Sequence, residues 1–483
     1  MINIITYLFY GCGSFFLVLG LAISGFWEPL FHNILANQLV LTKDSQTGEV
    51  WSQNSVPIYF KVYMFNWTNP TQTLARKQKA NFAEVGPYTF RFSQIKSNVI
   101  WNQNGTVSFR VDRLWSFVPE KSNGNLTDHI TNINAVAISL GERVKDTLWI
   151  KKFLWSAFLD ILEKQLYVTK TVEELLFKGY RDEVLDIGRF AKKYLAMDFG
   201  YLPEKFGWYF RKNATEKNTF NMFTGAEDIN KLGLVHSWNF KTDSGVYSDH
   251  CDQVRGSLGE LWPKNSAEKD SVSLFISDFC GSFELEKSGT QIVHGVEGVQ
   301  FTGTAKTFNN TNKRAKNRCY CKNSKCTLPS GVRDVSNCVH GPVYVSFPHF
   351  YLANDIYRRA IKGMKPDPEK HKFSITMQKE SGILTEIFAR FQINIKVEPY
   401  PGIGFFSNLP RMMVPTVWFE EYIELPENLQ NRMKLAFNLA PNLLSTFGFI
   451  FIILGSVLLN CGYIYTQMYV ISVDPAPISN MIL

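Results

Sequence analysis

An α+β domain with a largely antiparallel β-sheet or barrel, held between two membrane-spanning helices, is the fold class that this 483-residue sequence predicts. Three observations predict it. Charge is confined to the middle of the chain: every Lys, Arg, Asp and Glu except Asp474 lies between Glu28 and Lys434. Each uncharged end holds an apolar run of about 20 residues, the length that crosses a hydrocarbon core as a helix. Between the ends, period-two strand patterns lie on both sides of a block with helical periodicity.

The first span is placed at residues 4–27, where Phe15, Phe16, Leu17, Val18, Leu19 and Leu21 lie in an uninterrupted apolar stretch. A cleaved signal peptide ending at Ala22-Ile23-Ser24 is the alternative; the missing charged leader and the apolar Phe26 and Trp27 favour a signal-anchor. Ile58–Phe65 follows Pro57 and is rich in Tyr, Phe and Val, and Pro87–Phe92 alternates Tyr88, Phe90 and Phe92 with Thr89 and Arg91; both read as strands, Gly86-Pro87 starting the second. Asn104-Gly105 between Val99–Trp101 and Thr106–Val111 is a hairpin signal. From Asn134 to Leu195 the period turns helical. Lys152, Ser156, Asp160, Glu163 and Lys164 share one face, opposite Leu154, Trp155, Phe158, Leu159, Ile161 and Leu162. Thr171 with Glu174, and Thr224 with Glu227, form the capping-box pattern, the second before a short helix ending at Gly233. Strands return at Val272–Ile276, Val343–Phe347, Phe373–Met377 and Gln392–Val397, and the second span covers 443–465 ahead of a short tail, 466–483. No Pro/Ser/Gly-rich linker or repeat divides 28–442, which reads as one folded unit.

The composition gives 51 Lys and Arg against 43 Asp and Glu, a net +8. That balance suits anionic ligands, and equally a surface of dispersed lysines. Cys12 and Cys461 sit in or beside the spans; Cys251, Cys280, Cys319, Cys321, Cys326 and Cys338 cluster in the soluble segment and read as a disulfide framework in an oxidising compartment. Zinc held by Cys319, Cys321, Cys326, Cys338 and His340 is the competing reading, weakened because Cys-x-Cys-x4-Cys lacks paired Cys-x2-Cys knuckles. N-x-S/T sequons stand at Asn66, Asn104, Asn125, Asn213 and Asn309. Neither tail carries a Lys or Arg, so orientation comes from the middle segment: it is extracellular or lumenal, with both termini in the cytosol. Cys461, at the cytosolic edge of the second span, is a palmitoylation candidate. No cofactor or nucleic-acid pattern stands out. His349 and His371 have acids near them, but no nucleophile, base and orienting group stand at catalytic spacing, so the sequence does not read as an enzyme.

Local strings then add a family. Phe65-Asn66-Trp67-Thr68-Asn69-Pro70, Glu84-Val85-Gly86-Pro87-Tyr88, Glu173-Glu174-Leu175-Leu176 with Gly179-Tyr180-Arg181-Asp182, and Phe223-Thr224-Gly225-Ala226-Glu227-Asp228-Ile229 with Lys231-Leu232-Gly233 occur in that order. Ser346-Phe347-Pro348-His349-Phe350-Tyr351-Leu352-Ala353, Pro366-Asp367-Pro368-Glu369-Lys370-His371 and Pro415–Phe419 follow. In this order, with two spans and six cysteines between them, the chain resembles the class B scavenger receptor family. That family includes the fatty-acid translocase, the high-density-lipoprotein receptor, lysosomal integral membrane protein, sensory neuron membrane proteins and croquemort.

The resemblance implies a β-barrel-like ectodomain with an internal hydrophobic tunnel and an apical helical bundle at about 134–195. It also implies disulfides Cys251–Cys319, Cys280–Cys338 and Cys321–Cys326 within a disulfide-rich region, 251–338. The function it implies is a cell-membrane scavenger receptor that binds lipids, lipoproteins or anionic particles and passes hydrophobic cargo through the tunnel; a homo-oligomer is compatible with it. Lys151, Lys152, Lys164 and Lys170 are the expected capture residues at the apex, an ordinary solvated helix face being the plainer reading of them. Phagocytic recognition without transport is the alternative. A lysosomal carrier is disfavoured by the lack of an acidic dileucine signal in Val473–Leu483 and of a His between His129 and His236.

Overall fold

The computed structural model describes residues 4–53, 56–161, 165–194, 202–213, 218–311, 316–321 and 326–473. Five helices carry the argument: α1 (Ile4–Leu39), α2 (Ala135–Val144), α3 (Trp149–Ile161), α4 (Glu183–Tyr194) and α5 (Ala440–Val473). The chain forms two compact units, one made of Met1–Gln38, His294–Val296 and Glu427–Leu483, the other of Leu39–Val293 and Glu297–Pro426.

In the first unit α1 and α5 pack against each other, and both are long and apolar enough to cross a membrane. Glycines bring the two backbones together. A Cβ at Gly20 would lie 2.7 Å from the Gly448 carbonyl oxygen, and one at Gly455 would lie 2.7 Å from that of Gly13. Gly13 and Gly20, like Gly448, Gly455 and Gly462, recur every seven residues, about two helical turns, so each set stays on one face. The helices outrun the apolar segments 4–27 and 443–465: α1 continues through Pro29 to Leu39 and α5 runs on to Val473. Backbone hydrogen bonding does not stop where apolarity does.

The second unit is built on strands β1 (Ile58–Trp67), β2 (Phe82–Trp101), β3 (Thr106–Phe117), β4 (His129–Ile133), β5 (Tyr167–Thr171), β6 (Thr219–Phe223), β7 (Val235–Trp238), β8 (Ser271–Ile276), β9 (Gly281–Val293), β10 (Val296–Thr302), β11 (Arg333–Asp334), β12 (Val343–Ser346), β13 (Ser374–Gln378), β14 (Leu384–Val397) and β15 (Met412–Ile423). The main sheet runs β7-β6-β3-β2-β1-β15-β14-β13-β10-β9-β8, with β12 also on β14 and β11 on β12. Its named strand pairs are antiparallel. Single bridges Leu234–Ser257 and Ser257–Leu274 link the β7 end to β8, so the sheet is nearly closed.

Register sorts the side chains into two faces. Phe117, Phe90, Phe60, Glu421 and Ala389 stand in one cross-strand row, and Tyr88, Val62, Phe419 and Phe391 in another. This face is the core: Phe60, Val62, Phe90 and Phe391 are buried, and Phe391 packs on Phe279, Phe283 and Phe373. Burying each such ring stabilises by about 1.5–3 kcal/mol. The other face of β1, β14 and β15 is amphipathic: Tyr63 stacks on Trp418 at 3.9 Å, and Glu420 pairs with Lys61 at 3.0 Å and Arg390 at 2.6 Å.

Of three local expectations, one is met and two are corrected. Gly86-Pro87 does not open a strand but lies inside β2, as a cis peptide opposite an irregularity in β1, where a Cβ on Gly86 would sit 2.8 Å from the Val62 carbonyl oxygen. The Thr171–Glu174 box forms, Glu174 N donating to Thr171 Oγ1 at 3.2 Å and Thr171 N to Glu174 Oε2 at 3.0 Å, but it heads a single wide turn, Glu174–Lys178. Thr224 does not box with Glu227: its hydroxyl donates to the Gly105 carbonyl at 2.8 Å, and Asp228 caps the short 3-10 turn Ile229–Lys231 instead.

Candidate functional site

The helical block is fastened by side chains of its own strings. Asn134 caps α2 by accepting from Ala137 N at 3.0 Å, and its amide donates to Asp182 Oδ2 at 3.1 Å. Asp182 in turn accepts from Val184 N at 2.9 Å and caps α4. Asp182 therefore ties two helix starts together, which gives Gly179-Tyr180-Arg181-Asp182 a physical reason. Asn132 donates to the carbonyls of Phe65 and Thr416, at 3.3 and 3.0 Å, and so locks β4 to β1 and β15.

On this base α3 presents an apolar crest. Leu148, Trp149, Ile150, Phe153 and Leu154 are all exposed, Trp149 by 76% and Phe153 by 62%. Trp155, Ser156 and Leu159 are buried, and Ser156 Oγ accepts from Gly404 N at 3.0 Å. The expected polar face is thus corrected: Ser156 points inward because a loop amide needs its oxygen, while apolar residues meet solvent. The expected capture lysines do not form one exposed patch. Lys151 and Lys152 are half-buried beside the crest. Lys170 lies on β5 with its Nζ 5.3 Å above the Tyr180 ring. Lys164 falls outside the described residues. On α4, Phe190 and Tyr194 are exposed as well, their rings 4.7 Å apart.

A second constellation joins four of the strings. His349 Nε2 donates to Glu84 Oε2 at 2.5 Å, and Trp418 Nε1 donates to the same oxygen at 2.7 Å. The His349 and His371 rings stack at 4.4 Å, both buried. Each Nδ1 accepts a backbone N–H, from Lys365 at 3.1 Å and from Asp367 at 2.8 Å, so each ring carries its proton on Nε2. Glu84, His349 and His371 are close enough to share a metal ion. Ligation through Nε2, however, would move the proton to Nδ1, against a backbone donor, so the arrangement fits a structural hydrogen-bond node better than a metal centre. Burial raises the Glu84 pKa, and the hydrogen bonds from His349 and Trp418 outweigh it and hold the carboxyl low. Burial pushes His371 down to about 4. Glu84 also borders an open cleft of about 340 Å³, shared with Asn66, Tyr88, Asp128 and His129.

The six soluble-segment cysteines are bonded as Cys251–Cys319, Cys280–Cys338 and Cys321–Cys326, which leaves their sulfurs unavailable to zinc. His250, beside the first pair, therefore adds no metal centre to it. Cys12 and Cys461 are free and exposed. Among the sequons, Asn104, Asn125 and Asn213 are exposed and Asn309 is half-buried. Asn66 is half-buried within β1 and its Oδ1 accepts from Thr131 N at 2.9 Å, which engages it in packing.

Two residues went unmarked in the sequence reading. Glu84 lies in a quoted string but has no local signal, since its partners come from three distant segments. Glu421 did have one: along β15 it continues the alternation Val417, Phe419, an acid at a core-facing position.

A family model described as the CD36 family matches residues 11–466. The chain is 35% identical over 408 residues to Protein peste of Drosophila melanogaster, covering 83% of this chain and 72% of that protein. It is 26% identical over 455 residues to scavenger receptor class B member 1 of Bos taurus, covering 94% and 87%. It is 28% identical over 439 residues to lysosome membrane protein 2 of Homo sapiens, covering 89% of each. With two membrane spans, a nearly closed antiparallel sheet and a match that runs almost end to end, the chain belongs to the CD36 family of class B scavenger receptors.

Proposed function

We propose that this receptor captures lipids, lipoproteins or other anionic hydrophobic particles at the cell surface and passes hydrophobic cargo through the interior of its sheet domain to the membrane. The observation that carries the reading is the α3 crest, where Leu148, Trp149, Ile150, Phe153 and Leu154 are exposed next to Lys151 and Lys152. Aromatic and aliphatic side chains rimmed by cations match a particle with an anionic, partly apolar surface. Transfer needs no energy source, because each methylene leaving water contributes about 0.8 kcal/mol. In this reading 28–442 is the ectodomain, 134–195 its capturing bundle, and both termini are cytosolic. The relatives include a protein named for the lysosome, so the lysosomal membrane is the alternative compartment.

Recognition without transport is the second reading. The close aromatic packing of the core face favours it: Phe60 lies 5.5 Å from Tyr209 and 5.2 Å from Phe419. Particles labelled separately in lipid and in protein, offered to cells that express the full chain, separate the two. Lipid entering in excess over particle protein is the expected result. Binding with no selective lipid entry, and no lipid co-purifying with the full chain, would establish recognition alone.

A further inference from the structure

The net charge of +8 is concentrated rather than spread. The chain has 51 Lys and Arg against 43 Asp and Glu, and seven of the 51 lie in two short stretches that contain no acid: residues 75–81, with Arg76, Lys77 and Lys79, and residues 357–366, with Arg358, Arg359, Lys362 and Lys365. Outside them the chain is close to neutral. The fold joins the two stretches. Phe82 N donates to the Lys362 carbonyl at 3.1 Å, Lys362 N donates to the Ala80 carbonyl at 2.7 Å, and Asn81 and Lys362 form a parallel bridge. A Cβ on Gly363, at φ 96°, would strike the Phe82 carbonyl, so only glycine lets the segments come this close. Lys79 Nζ donates to the Arg359 carbonyl at 2.9 Å, and Arg76 Nε and Nη2 donate to the carbonyls of Asn408 and Leu409 at 3.0 and 3.3 Å. These bonds hold the cations in place and leave their charge uncancelled. Arg76 is also kept at φ 56°, in the left-handed region that disfavours a residue with a side chain. Acids stand only at the borders: Asp355 pairs with Arg358 and Arg359, and the Asp367 carboxylate accepts from Glu369 N at 2.9 Å. Among the described residues no carboxylate pairs with Arg76, Lys77, Lys79, Lys362 or Lys365, and all five are exposed.

We propose that this basic surface binds a linear sulfated polysaccharide of the heparan type, apart from the particle-capturing crest on α3 and in addition to it. Like charges gathered without counterions repel one another, and a polyanion lying across both stretches relieves that repulsion. The surroundings select the kind of polyanion. Neither stretch exposes an aromatic ring, since Tyr357, the only ring in them, is buried. Single-stranded nucleic acid needs such rings for base stacking, and a lipid particle needs apolar area, so neither suits this surface. Four of the seven cations are lysines, compact point charges on flexible stems that adapt to sulfates spaced along a sugar chain. The three disulfides put the domain in an oxidising, extracytosolic space, where sulfated polysaccharides are displayed and nucleic acid is scarce. Arg76 and Lys79 are already ordered by backbone carbonyls, so they lose less side-chain freedom on binding than free lysines do.

The test uses the full chain in nanodiscs of uncharged phosphatidylcholine, bound to immobilised heparin and eluted with salt. Lys77→Gln, Lys362→Gln and Lys365→Gln together should weaken binding about tenfold or more and make what remains less steep in salt, because fewer condensed counterions are then released from the polyanion. Lys43→Gln, Lys241→Gln and Lys269→Gln together remove the same charge from exposed positions elsewhere and should leave elution as in wild type. Equal losses in the two triple variants would mean that net charge alone is read, and would overturn the proposal. Hyaluronan, with carboxylates and no sulfate, should not displace the wild-type chain from heparin. Duplex DNA that displaced it as well as free heparin does would overturn the choice of a polysaccharide. An unchanged thermal midpoint shows that the first triple variant folds, and a footprint on wild type needs no variant at all. A heparin oligosaccharide should shield Lys77, Lys362 and Lys365 from acetylation and leave Lys43, Lys241 and Lys269 reactive; identical labelling with and without it overturns the proposal.

Discussion

At the residue scale, His371, stacked on His349, is a buried imidazole that resists protonation. Its Nδ1 already accepts the Asp367 backbone hydrogen, so a second proton has no free site there. The titratable and charged groups around His371 are His349, Glu84, Asp367 and Arg390; burial is the largest influence and His349 the next, both downward, and Glu84 and Asp367 oppose them. The sign follows from linkage. The unfolded chain takes up the His371 proton near its ordinary value of 6.5, the folded chain only near 4, so stability is full above pH 6.5 and is lost as pH falls from there towards 4. His371→Asn offers an oxygen acceptor of similar reach to the Asp367 amide and no titrating group. Between pH 7 and 5 the thermal midpoint of the variant should fall less than that of wild type, by about 2 °C or more. Parallel curves would show that acid sensitivity lies elsewhere. Glu421 has the opposite sign: its raised pKa costs stability as pH rises from the ordinary carboxyl range through 7, a slope that Glu421→Gln should remove.

At the scale of elements, the two membrane helices show what a hydropathy pattern reveals and what it leaves out. Apolarity located both spans, but the packing between them depends on glycines every seven residues, and Phe16 stacks on Phe451 at 5.6 Å. Lipid offers no hydrophobic drive for helix association, so close backbone approach has to supply it. Cysteines placed at Phe16 and Phe451 should crosslink in membranes on mild oxidation, and Gly20→Leu, whose side chain would strike Gly448 and Ile452, should suppress the crosslink several-fold. Persistence of the crosslink in that variant would show a different helix contact. The strands were legible for a related reason: runs rich in β-branched and aromatic residues marked β1, β8 and β12–β14, of which β12 and β13 are buried along their whole length. Their partners were not, since β1 pairs with β15 across more than three hundred residues of sequence. The hairpin at Asn104-Gly105 was readable because its turn is local, with Gly105 at φ 64°.

For the whole molecule, the question is which physical force captures a particle, and the exposed surface of α3 changes the expected answer. The helical pattern of Asn134–Leu195 was plain in the sequence except where the strand β5 interrupts it, but which side of α3 faced solvent depended on a loop, Tyr400–Phe406, that no local pattern announces. Lysines would act through Coulomb attraction, which falls off over a Debye length of about 10 Å at 0.1 M salt, whereas the crest acts through area removed from water and is indifferent to salt. The two contributions separate experimentally. Trp149→Ser with Phe153→Ser should weaken binding of neutral and anionic vesicles alike, by about tenfold or more, since each ring contributes about 1.5–3 kcal/mol when buried. Lys151→Glu with Lys152→Glu should weaken only anionic vesicles, and the binding that remains should respond less to salt. If the lysine pair alone abolished capture of both vesicle types in a correctly surfaced receptor, the crest would be a bystander and charge the dominant force. Normal binding in both variants would move capture off α3 to another surface, with Phe190 and Tyr194 of α4 the next apolar residues in line.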